Sequence, residues 1–323
     1  MTNTKQDFLA ALECRQPGGA VPVWELEFQA WNAFSGRHVM LGREFEALSP
    51  AQQERAMHAN AEIFLSVCRQ LHFSAMTPPS GYWEQAPGHL AYFVLPGDTR
   101  FRQFEIIKNM AGDEVALVGN SGGVLAASYD EDFCEKLYQR PEEMDIQAKA
   151  TLDGGLAAAR RLRDLGADAV FSASDIADNS GPFFNPEQMK RFVLPYLHQW
   201  AEGCKAMGLC SILHSDGQLT PYVDAIAATA LDALQAIDPT AGMDMAQTRQ
   251  LASGRLCLCG NVDCGTLLLG TPEQVFDATR QLLTTCKAEG GLVLGASNAV
   301  QPEVPLVNYQ AMIHAWQQYG SYI

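Results

Sequence analysis

Short apolar runs alternate with longer segments in which apolar residues recur every three or four positions, a pattern typical of parallel βα units. Several of the longer segments end in glycine, as at Gly166 and Gly208, where helices commonly stop. Eight strands are predicted: Val21–Glu27, Phe73–Thr77, Glu114–Gly119, Ala169–Ser174, Leu209–His214, Asp232–Ile237, Leu256–Asn261 and Gly291–Ser297. This order predicts an α/β fold, a single (β/α)8 TIM-type barrel over residues 1–323, with an open doubly wound sheet as the alternative.

One pair of apolar runs lies between the second and third predicted strands. Leu90–Leu95 and Arg102–Ile107 flank the turn sequence Pro96-Gly97-Asp98, which predicts a small hairpin inserted into the barrel. Helices are expected to begin at Pro186 and at Pro272, since each proline is followed by a glutamate in the first turn.

Composition narrows the class of protein. No apolar run approaches the roughly 20 residues that a membrane span requires, and the amino terminus lacks the apolar core of a secretory signal, so we expect a cytoplasmic protein without membrane contact. Nine cysteines without a regular framework indicate reduced thiols. The formal charge of −15 argues against broad contact with nucleic acid, whose binding depends on lysine and arginine.

Polar residues collect where the predicted strands end. Any one of them is usually a cap or turn former, but a barrel would bring all of them into one ring at its active-site face. They are Glu25, Glu27, Asn120, Ser121, Ser174, Asp175, His214, Ser215, Asp216, Gln235, Asp238, Asn261, Asp263, Ser297 and Asn298.

His214 and Asp216 form the most specific pair. Two positions apart on an extended segment, their side chains point the same way. An imidazole beside a carboxylate serves as an oriented acid–base couple or as two metal ligands, and the structural alternative is a histidine satisfied by a neighbouring aspartate.

Glu25 and Glu27 have the same spacing. We therefore expect both carboxylates to face the barrel interior while Trp24 and Leu26 face the helices. Two carboxylates there are costly unless they are paired, hydrated or metal-bound, so at least one of them is expected to be functional.

Cysteines and aromatic residues give weaker signals. Cys257, Cys259 and Cys264 lack the paired spacing of structural zinc sites, and a buried core role is favoured for the first two. Trp31 and Tyr82-Trp83 either floor an aromatic pocket or pack as ordinary core residues.

An ordered series of motifs resembles the uroporphyrinogen decarboxylase superfamily, which also contains cobalamin-linked methyltransferases. The resemblance covers most of the chain and is strongest from about residue 166 to 312, and it implies a (β/α)8 barrel. The motifs are Pro22-Val23-Trp24, Gly119–Gly123, Ser174-Asp175, Asn179–Pro182 with Pro186, Phe192–Pro195, His214–Gly217, Gly260–Asp263, Gly270–Glu273, and Ser297-Asn298 with Pro305 and Asn308.

Two branches of the superfamily fit this chain poorly. The decarboxylases carry arginines directly after the Pro-Val-Trp strand, whereas this chain has Glu27 there and no arginine until Arg37. A carboxylate in that place would repel an acidic porphyrinogen. The thiol-activating zinc methyltransferases show His-x-Cys and a distant second cysteine, whereas this chain has Asp216 at the first position and no cysteine in Gly295–Asn298.

The remaining resemblance is to the His-Ser-Asp-Gly subgroup, similar to the first methyltransferases of bacterial O-demethylase systems. It implies methyl transfer from a small donor, expected to be a methoxylated aromatic, to cobalamin in the cob(I) state on a corrinoid carrier protein. A phenolate is a poor leaving group, so the ether oxygen must be protonated or polarised. The resemblance assigns catalysis to His214, Asp216, Glu25 and Asp175, and cofactor binding to Asn120, Asn179, Asn261 and Ser297.

A metal and a docking surface complete this hypothesis. His214 and Asp216 are also the candidate ligands of a divalent metal such as zinc, with Glu25 as a further ligand, although oxygen-rich ligation does not single out zinc. The loop Asp175–Asn185 and residues 90–107 are candidate docking surfaces for the carrier.

Two alternatives stay open. A decarboxylase of a small or porphyrinogen-like acid would depend on cations in the pocket, for which Arg37, Arg43 and Lys108 are the candidates. A non-catalytic binding protein on the same barrel would keep its ligand when His214 is replaced.

Overall fold

Parallel strands form a curled sheet in which the strand order follows the chain. The computed structural model describes residues 4–79, 83–86, 89–92 and 98–322. The seven strands of this sheet are β1 Ala75–Met76, β2 Ala116–Asn120, β3 Ala169–Ala173, β4 Cys210–His214, β5 Ala233–Gln235, β6 Cys257–Cys259 and β7 Leu292–Val293. Every neighbouring pair is parallel, as the alternation of apolar runs and helical segments predicts.

Helices occupy the segments between these strands. Thr271 accepts a hydrogen bond from the first turn of the helix at Pro272, and Asn185 does the same for the short helix at Pro186, as predicted. The α-helices are Lys5–Leu12, Trp31–Ser35, Gly42–Glu46, Pro50–Gln70, Thr99–Ala111, Glu131–Tyr138, Pro141–Asp164, Pro186–Gln188, Leu194–Ala206, Val223–Ala227, Met245–Ala252, Cys264–Leu269, Pro272–Cys286 and Leu306–Tyr319.

The strands separate two apolar layers. On β2, Ala116 and Val118 belong to a small interior cluster, whereas Leu117 between them packs with the helices. This alternation is the period of two that a pleated strand imposes. Cys257 and Cys259 also lie in the interior cluster, which confirms the buried core role predicted for them, and all nine cysteines of the chain are free.

The predicted first strand, Val21–Glu27, is wrong as a regular strand. It makes an isolated parallel bridge from Val23 to Leu294, so the sheet has seven strands and not eight. Its backbone nevertheless bonds on both sides: Leu294 N–H donates to Pro22 O at 2.8 Å, and Ser74 N–H donates to Val23 O at 3.0 Å. Pro22 has no N–H to continue a ladder, which is one reason why the pairing stays short.

The predicted hairpin is wrong in position. Arg102–Ile107 belongs to the helix Thr99–Ala111, where the buried Phe104, Ile107 and Ala111 recur at helical spacing. An antiparallel ribbon instead joins Trp83–Ala86 to His89–Tyr92, and residues 93–97 lie outside the described residues.

Among the residues that the structure describes, no helix has the length and apolar character needed to cross a membrane. The first helix, Lys5–Leu12, packs one apolar face against the rest of the protein. Its Phe8, Ala11 and Leu12 pack into the interior cluster, beside Trp24. The amino-terminal segment therefore contributes to the core inside the curled sheet.

A histidine–carboxylate pocket at the strand ends

A pocket of about 210 Å³ opens where β1 to β4 end. Catalytic residues of parallel barrels lie at this carboxyl-terminal face. The residues that line the pocket are Leu26, Glu27, Phe28, Gln29, Trp31, Thr77, Pro78, Pro79, Asn120, Phe171, Ala173, His214 and Asn298.

His214, the last residue of β4, is 6% exposed and is held by Gln235 at the end of β5. The Gln235 side-chain nitrogen Nε2 donates to the carbonyl oxygens of Ala296 and Ser297, at 3.3 and 3.2 Å. Because carbonyls only accept, this fixes the orientation of the amide, and Oε1 must face His214 Nδ1. His214 Nδ1 therefore carries a hydrogen, and the lone pair of the neutral ring lies on Nε2.

Two carboxylates lie beside this free nitrogen. His214 Nε2 is 3.8 Å from Asp175 Oδ1 and 3.9 Å from Asp216 Oδ1. Asp175 Oδ1 also accepts the Asp216 backbone N–H at 2.9 Å, and Asp216 Oδ2 accepts from the Asn298 amide. The predicted pair His214 and Asp216 is thus joined by Asp175, and Asn298 orients one of its carboxylates.

Asp216 is the group in this cluster whose titration is clearly displaced. Burial, together with the nearby carboxylates of Asp175 and Asp238, raises its pKa to about 6, although His214 and the Asn298 hydrogen bond act in the opposite direction. Asp216 therefore exchanges a proton close to neutral pH, a property suited to acid–base work.

Gly217 allows the two loops of the cluster to approach each other. Its φ is +91°, and a Cβ atom at this position would lie 2.6 Å from the Ala177 carbonyl carbon. The Gly217 N–H donates to Asp238 Oδ2 at 3.2 Å. A larger residue would push Asp216 away from the loop that carries Asp175.

Within the part of the chain that the structure describes, the same three residues have metal-binding geometry. Asp175, His214 and Asp216 each offer one ligand atom, and these atoms lie within 4.8 Å of one another. One imidazole nitrogen and two carboxylate oxygens fit a divalent ion, because the Gln235 hydrogen bond leaves Nε2 free for ligation. This oxygen-rich set does not single out zinc.

Glu25 does not face the interior, and its predicted orientation is wrong. Trp24 and Leu26 pack in the interior cluster, whereas the Glu25 carboxylate accepts from Tyr309 Oη at 2.8 Å and from Ala296 N–H at 2.9 Å. Full burial raises the pKa of Glu25 to about 8. Its contact with the last helix places it behind the wall of the pocket, out of the position expected of a metal ligand beside His214.

Glu27, which was predicted to face the interior together with Glu25, lines the pocket. Burial raises its pKa to about 7. The segment that follows supplies Gln29 and Trp31 to the same wall, so Trp31 does line a pocket. Tyr82 lies outside the described residues, and nothing is described of the Trp83 side chain.

The four predicted cofactor-binding residues do not converge. Asn120 lines the pocket, and its Oδ1 accepts the Gly122 N–H at 3.1 Å. Asn179 is exposed in the turn of a small ribbon, and Asn261 lines a separate cavity and donates to Ile237 O. Ser297 is buried, and its backbone carbonyl reaches the site through Gln235.

Gln235 and Asn298 contact His214 and Asp216, and sequence reasoning assigned neither of them a role. Both stood among the polar strand ends, but nothing in the spacing indicated that they pair with His214 and Asp216. Their separations along the chain are 21 and 82 residues. The sequence signal that could have identified them was their position at the end of a predicted strand.

No lysine or arginine lines this pocket among the described residues. Residues 80–97, which include the undescribed segments, contain neither type in their sequence. Of the cations considered for a decarboxylase, Arg37 pairs with Glu62 at 3.1 Å and Lys108 lies 3.5 Å from Asp113.

Comparison with known proteins places the chain in a family. The family description "Uroporphyrinogen decarboxylase (URO-D)" matches residues 99–319. The uroporphyrinogen decarboxylase of Coxiella burnetii is 26% identical over 190 residues, 57% of this chain and 50% of that enzyme, and that of Xanthomonas oryzae is 27% identical over 232 residues, 66% and 63% of the two chains. The chain thus spans about half to two thirds of the length of these relatives.

A solved structure shows the same architecture along the whole chain. The methyltransferase from Methanosarcina mazei superposes with a TM-score of 0.70 at 18% identity, covering 99% of both chains. At that identity the likeness concerns the fold. Since the family match extends over more than half of the residues, this chain belongs to the uroporphyrinogen decarboxylase family, a family of enzymes.

Proposed function

We propose that this protein is a corrinoid-dependent methyltransferase that moves a methyl group from a small donor, a methoxylated aromatic, to cob(I)alamin on a separate carrier protein. The observation that carries the proposal is a histidine between two carboxylates in a small pocket that no described lysine or arginine lines. The full-length likeness to a methyltransferase of known structure supports it.

The chemical demand on the protein is a proton at the ether oxygen. The corrinoid supplies the nucleophile that takes the methyl group, and the phenolate leaves poorly unless its oxygen is protonated. His214 Nε2 is the atom assigned to this task, because Nδ1 is committed to Gln235. A proton on Nε2 lies near the oxygens of Asp175 and Asp216, which compensate the charge of the imidazolium.

The other assigned residues act by position. Asn120 and Glu27 line the pocket and contact the donor molecule. Glu25 acts from behind the wall: it accepts the Ala296 N–H, and the Ala296 carbonyl in turn accepts from Gln235. In this proposal Glu25 is a positioning residue for the imidazole.

A divalent ion on Asp175, His214 and Asp216 is the alternative source of polarisation. It would act as a Lewis acid at the donor oxygen. A proton and a metal ion compete for the same lone pair on Nε2, so the two forms exclude each other at any moment.

The barrel itself belongs to the proposal. We infer that residues 21–28 close the curled sheet into a barrel by taking the place of an eighth strand. Hydrogen bonds from Leu294 to Pro22 and from Ser74 to Val23, with a further bridge between Phe28 and Val300, support this closure. Closure brings Glu27 and Gln29 to the same mouth as His214.

Decarboxylation is the second candidate, because the matched curated relatives are uroporphyrinogen decarboxylases. Such substrates carry several carboxylates, and their recognition relies on guanidinium or ammonium groups. The lining that is described offers Glu27 and neither lysine nor arginine. This makes methyl transfer the better supported function.

The test mixes the purified protein with chemically reduced cob(I)alamin and a panel of methyl donors that includes methoxyphenols, and follows methylcob(III)alamin by absorbance. Methylation by a methoxylated aromatic, lost in His214→Ala, is the expected result. Release of carbon dioxide from an acid without cobalamin methylation would move the assignment to a decarboxylase. Donor binding that survives in His214→Ala, with no turnover by the wild type on either cob(I)alamin or a carrier, would indicate a binding protein.

A further inference from the structure

The wall formed by Glu27, Gln29 and Trp31, here called the Gln29 wall, contains polar groups without partners. The side chain of Gln29 is 8% exposed, and neither its Nε2 nor its Oε1 makes a hydrogen bond within the described protein. The same holds for Trp31 Nε1, on a residue that is 3% exposed. Both residues line the pocket that contains His214.

Such groups require an explanation, because buried amides and indoles are almost always paired. The ring centroids of Phe28 and Phe64 each lie 4.8 Å from that of Trp31, so the indole is packed among aromatic rings that offer its nitrogen no acceptor in the plane of a hydrogen bond. Because Gln29 and Trp31 both line the pocket, we take a ligand in that pocket as the missing partner of both groups.

The charges around the pocket restrict the ligand. An anion would meet Glu27 and the two aspartates beside His214, with no lysine or arginine in the described lining to offset them. A cation can donate but not accept, so it would leave the N–H groups of Gln29 and Trp31 without partners. A neutral hydroxyl group both donates and accepts, and it pairs with Gln29 Oε1 and Trp31 Nε1 together.

The shape of the pocket adds an aromatic ring. Phe28, Trp31 and Phe171 line it together with Pro78 and Pro79, and its volume of about 210 Å³ is that of a small molecule. The rings and prolines suit a benzene ring, and the polar groups at the Gln29 wall and at His214 suit a ring that carries two oxygen substituents.

We propose that Gln29 and Trp31 form a subsite for a free hydroxyl group, so that the substrate is a neutral aromatic methyl ether that also carries a hydroxyl. The inference rests on the proposed methyl transfer and names its substrate class. The hydroxyl anchors one edge of the ring at the Gln29 wall, and the methoxy group is left to face His214.

The test measures binding without turnover. Isothermal titration calorimetry compares 2-, 3- and 4-methoxyphenol with methoxybenzene, which lacks only the hydroxyl. We expect at least one methoxyphenol to bind about 10-fold more tightly than methoxybenzene to the wild type, the size of one buried hydrogen bond. In Gln29→Leu this preference should fall to within about 3-fold.

Two further variants separate recognition from folding. Trp31→Phe keeps the ring and removes Nε1, and it should also lower the preference. Gln103→Leu removes a buried glutamine outside the pocket, whose Nε2 donates to Met57 O at 2.8 Å, and it should leave the preference unchanged. The melting temperature of each variant reports whether it folds.

The outcomes distinguish this inference from the proposed function. Equal binding of all four compounds, no binding of any, or a preference that persists in Gln29→Leu would overturn the subsite, the last because the amide is then satisfied by water alone. Methyl transfer to cob(I)alamin without a preference sustains the function and refutes the subsite. A preference that Gln29→Leu abolishes, without methyl transfer, sustains the subsite and refutes the function.

Discussion

Two buried glutamines near the same pocket differ in their hydrogen bonding: one is fully paired and the other has no partner within the described protein. Gln235, at the end of β5, uses both ends of its amide: Oε1 meets His214, and Nε2 meets two backbone carbonyls. Gln29 uses neither. The first arrangement is complete before any ligand arrives and fixes the imidazole in one tautomer. The second is incomplete, as expected of a group whose partner is the substrate.

The difference separates two roles in one pocket: holding the reacting group and recognising the ligand. A reacting group must be held in one geometry, so its supporting hydrogen bonds are all made within the protein. A recognition group gains selectivity when the correct ligand pairs it and an incorrect ligand does not. The following predictions test this division, from the largest expected effect to the smallest.

Replacing His214 with Ala removes the proposed proton donor. We expect methyl transfer to fall by about 10²- to 10⁴-fold, the range of general acid catalysis, while a methoxyphenol still binds at the Gln29 wall. Single-turnover formation of methylcob(III)alamin and calorimetric binding measure the two effects separately. If His214→Ala weakened methoxyphenol binding as much as it slowed methyl transfer, the reacting group and the binding wall could not be told apart.

Replacing each glutamine with Leu compares their contributions to stability. Gln235→Leu leaves the Ala296 and Ser297 carbonyls and the His214 Nδ1–H without partners, and we expect a loss of about 1–3 kcal/mol in the free energy of unfolding. Gln29→Leu removes an amide that has no partner, so it should be neutral or stabilising. Urea denaturation of both variants checks the contrast, and a similar loss for both would show that Gln29 is paired in solution.

The pH dependence of stability tests the role of Glu25, which supports the hydrogen-bonded residues around His214. Its pKa is about 8 in the folded protein, above the ordinary value of 4.5, so between these values the folded state keeps a proton that the unfolded state has released. Stability should therefore fall as the pH rises from about 4.5 to 8, by at most ~1.4 kcal/mol per pH unit for this group.

Glu25→Gln keeps the shape and removes the ionisation. We expect the variant to gain stability relative to the wild type on raising the pH from 5 to 8, as measured by urea denaturation at each pH. Glu27, whose pKa is about 7, contributes a slope of the same sign and provides the matched comparison through Glu27→Gln. An unchanged pH dependence in Glu25→Gln would mean that Tyr309 and Ala296 hold a carboxylate that is already ionised.

Removal of divalent ions should have the smallest effect. If a proton on His214 Nε2 performs the activation, activity after treatment with a chelator should stay within about twofold of the untreated protein. Loss of activity that Zn²⁺ or Mn²⁺ restores, and binding of the ion that Asp175→Asn weakens, would assign the polarisation to a metal on this cluster instead.

Several features followed from the sequence because they depend on local order. The apolar run Glu114–Gly119 predicted a strand, and the structure has β2 over Ala116–Asn120. The motif series led to the superfamily that the match over residues 99–319 confirms. His214 and Asp216 were predicted to lie together, since spacing by two along an extended segment is a property of the backbone alone.

Other features were decided by register and by distant partners. Spacing by two placed Glu25 and Glu27 on one face but did not say which face, and pairing beside Leu294 turned Glu25 toward Tyr309, 284 residues away in the chain. The helix Thr99–Ala111 replaced a predicted hairpin strand because its apolar residues face a neighbouring helix, Pro50–Gln70.

The sequence by itself determined the order of the seven parallel strands, the family and the His214–Asp216 pair, because each depends on residues close together in the chain. Only the tertiary structure decided that Gln235 sets the tautomer of His214, that Asp175 joins the cluster and that Gln29 is left unpaired. The physical reason is that a hydrogen-bond partner is defined by the register of neighbouring strands and loops, which a local pattern does not contain.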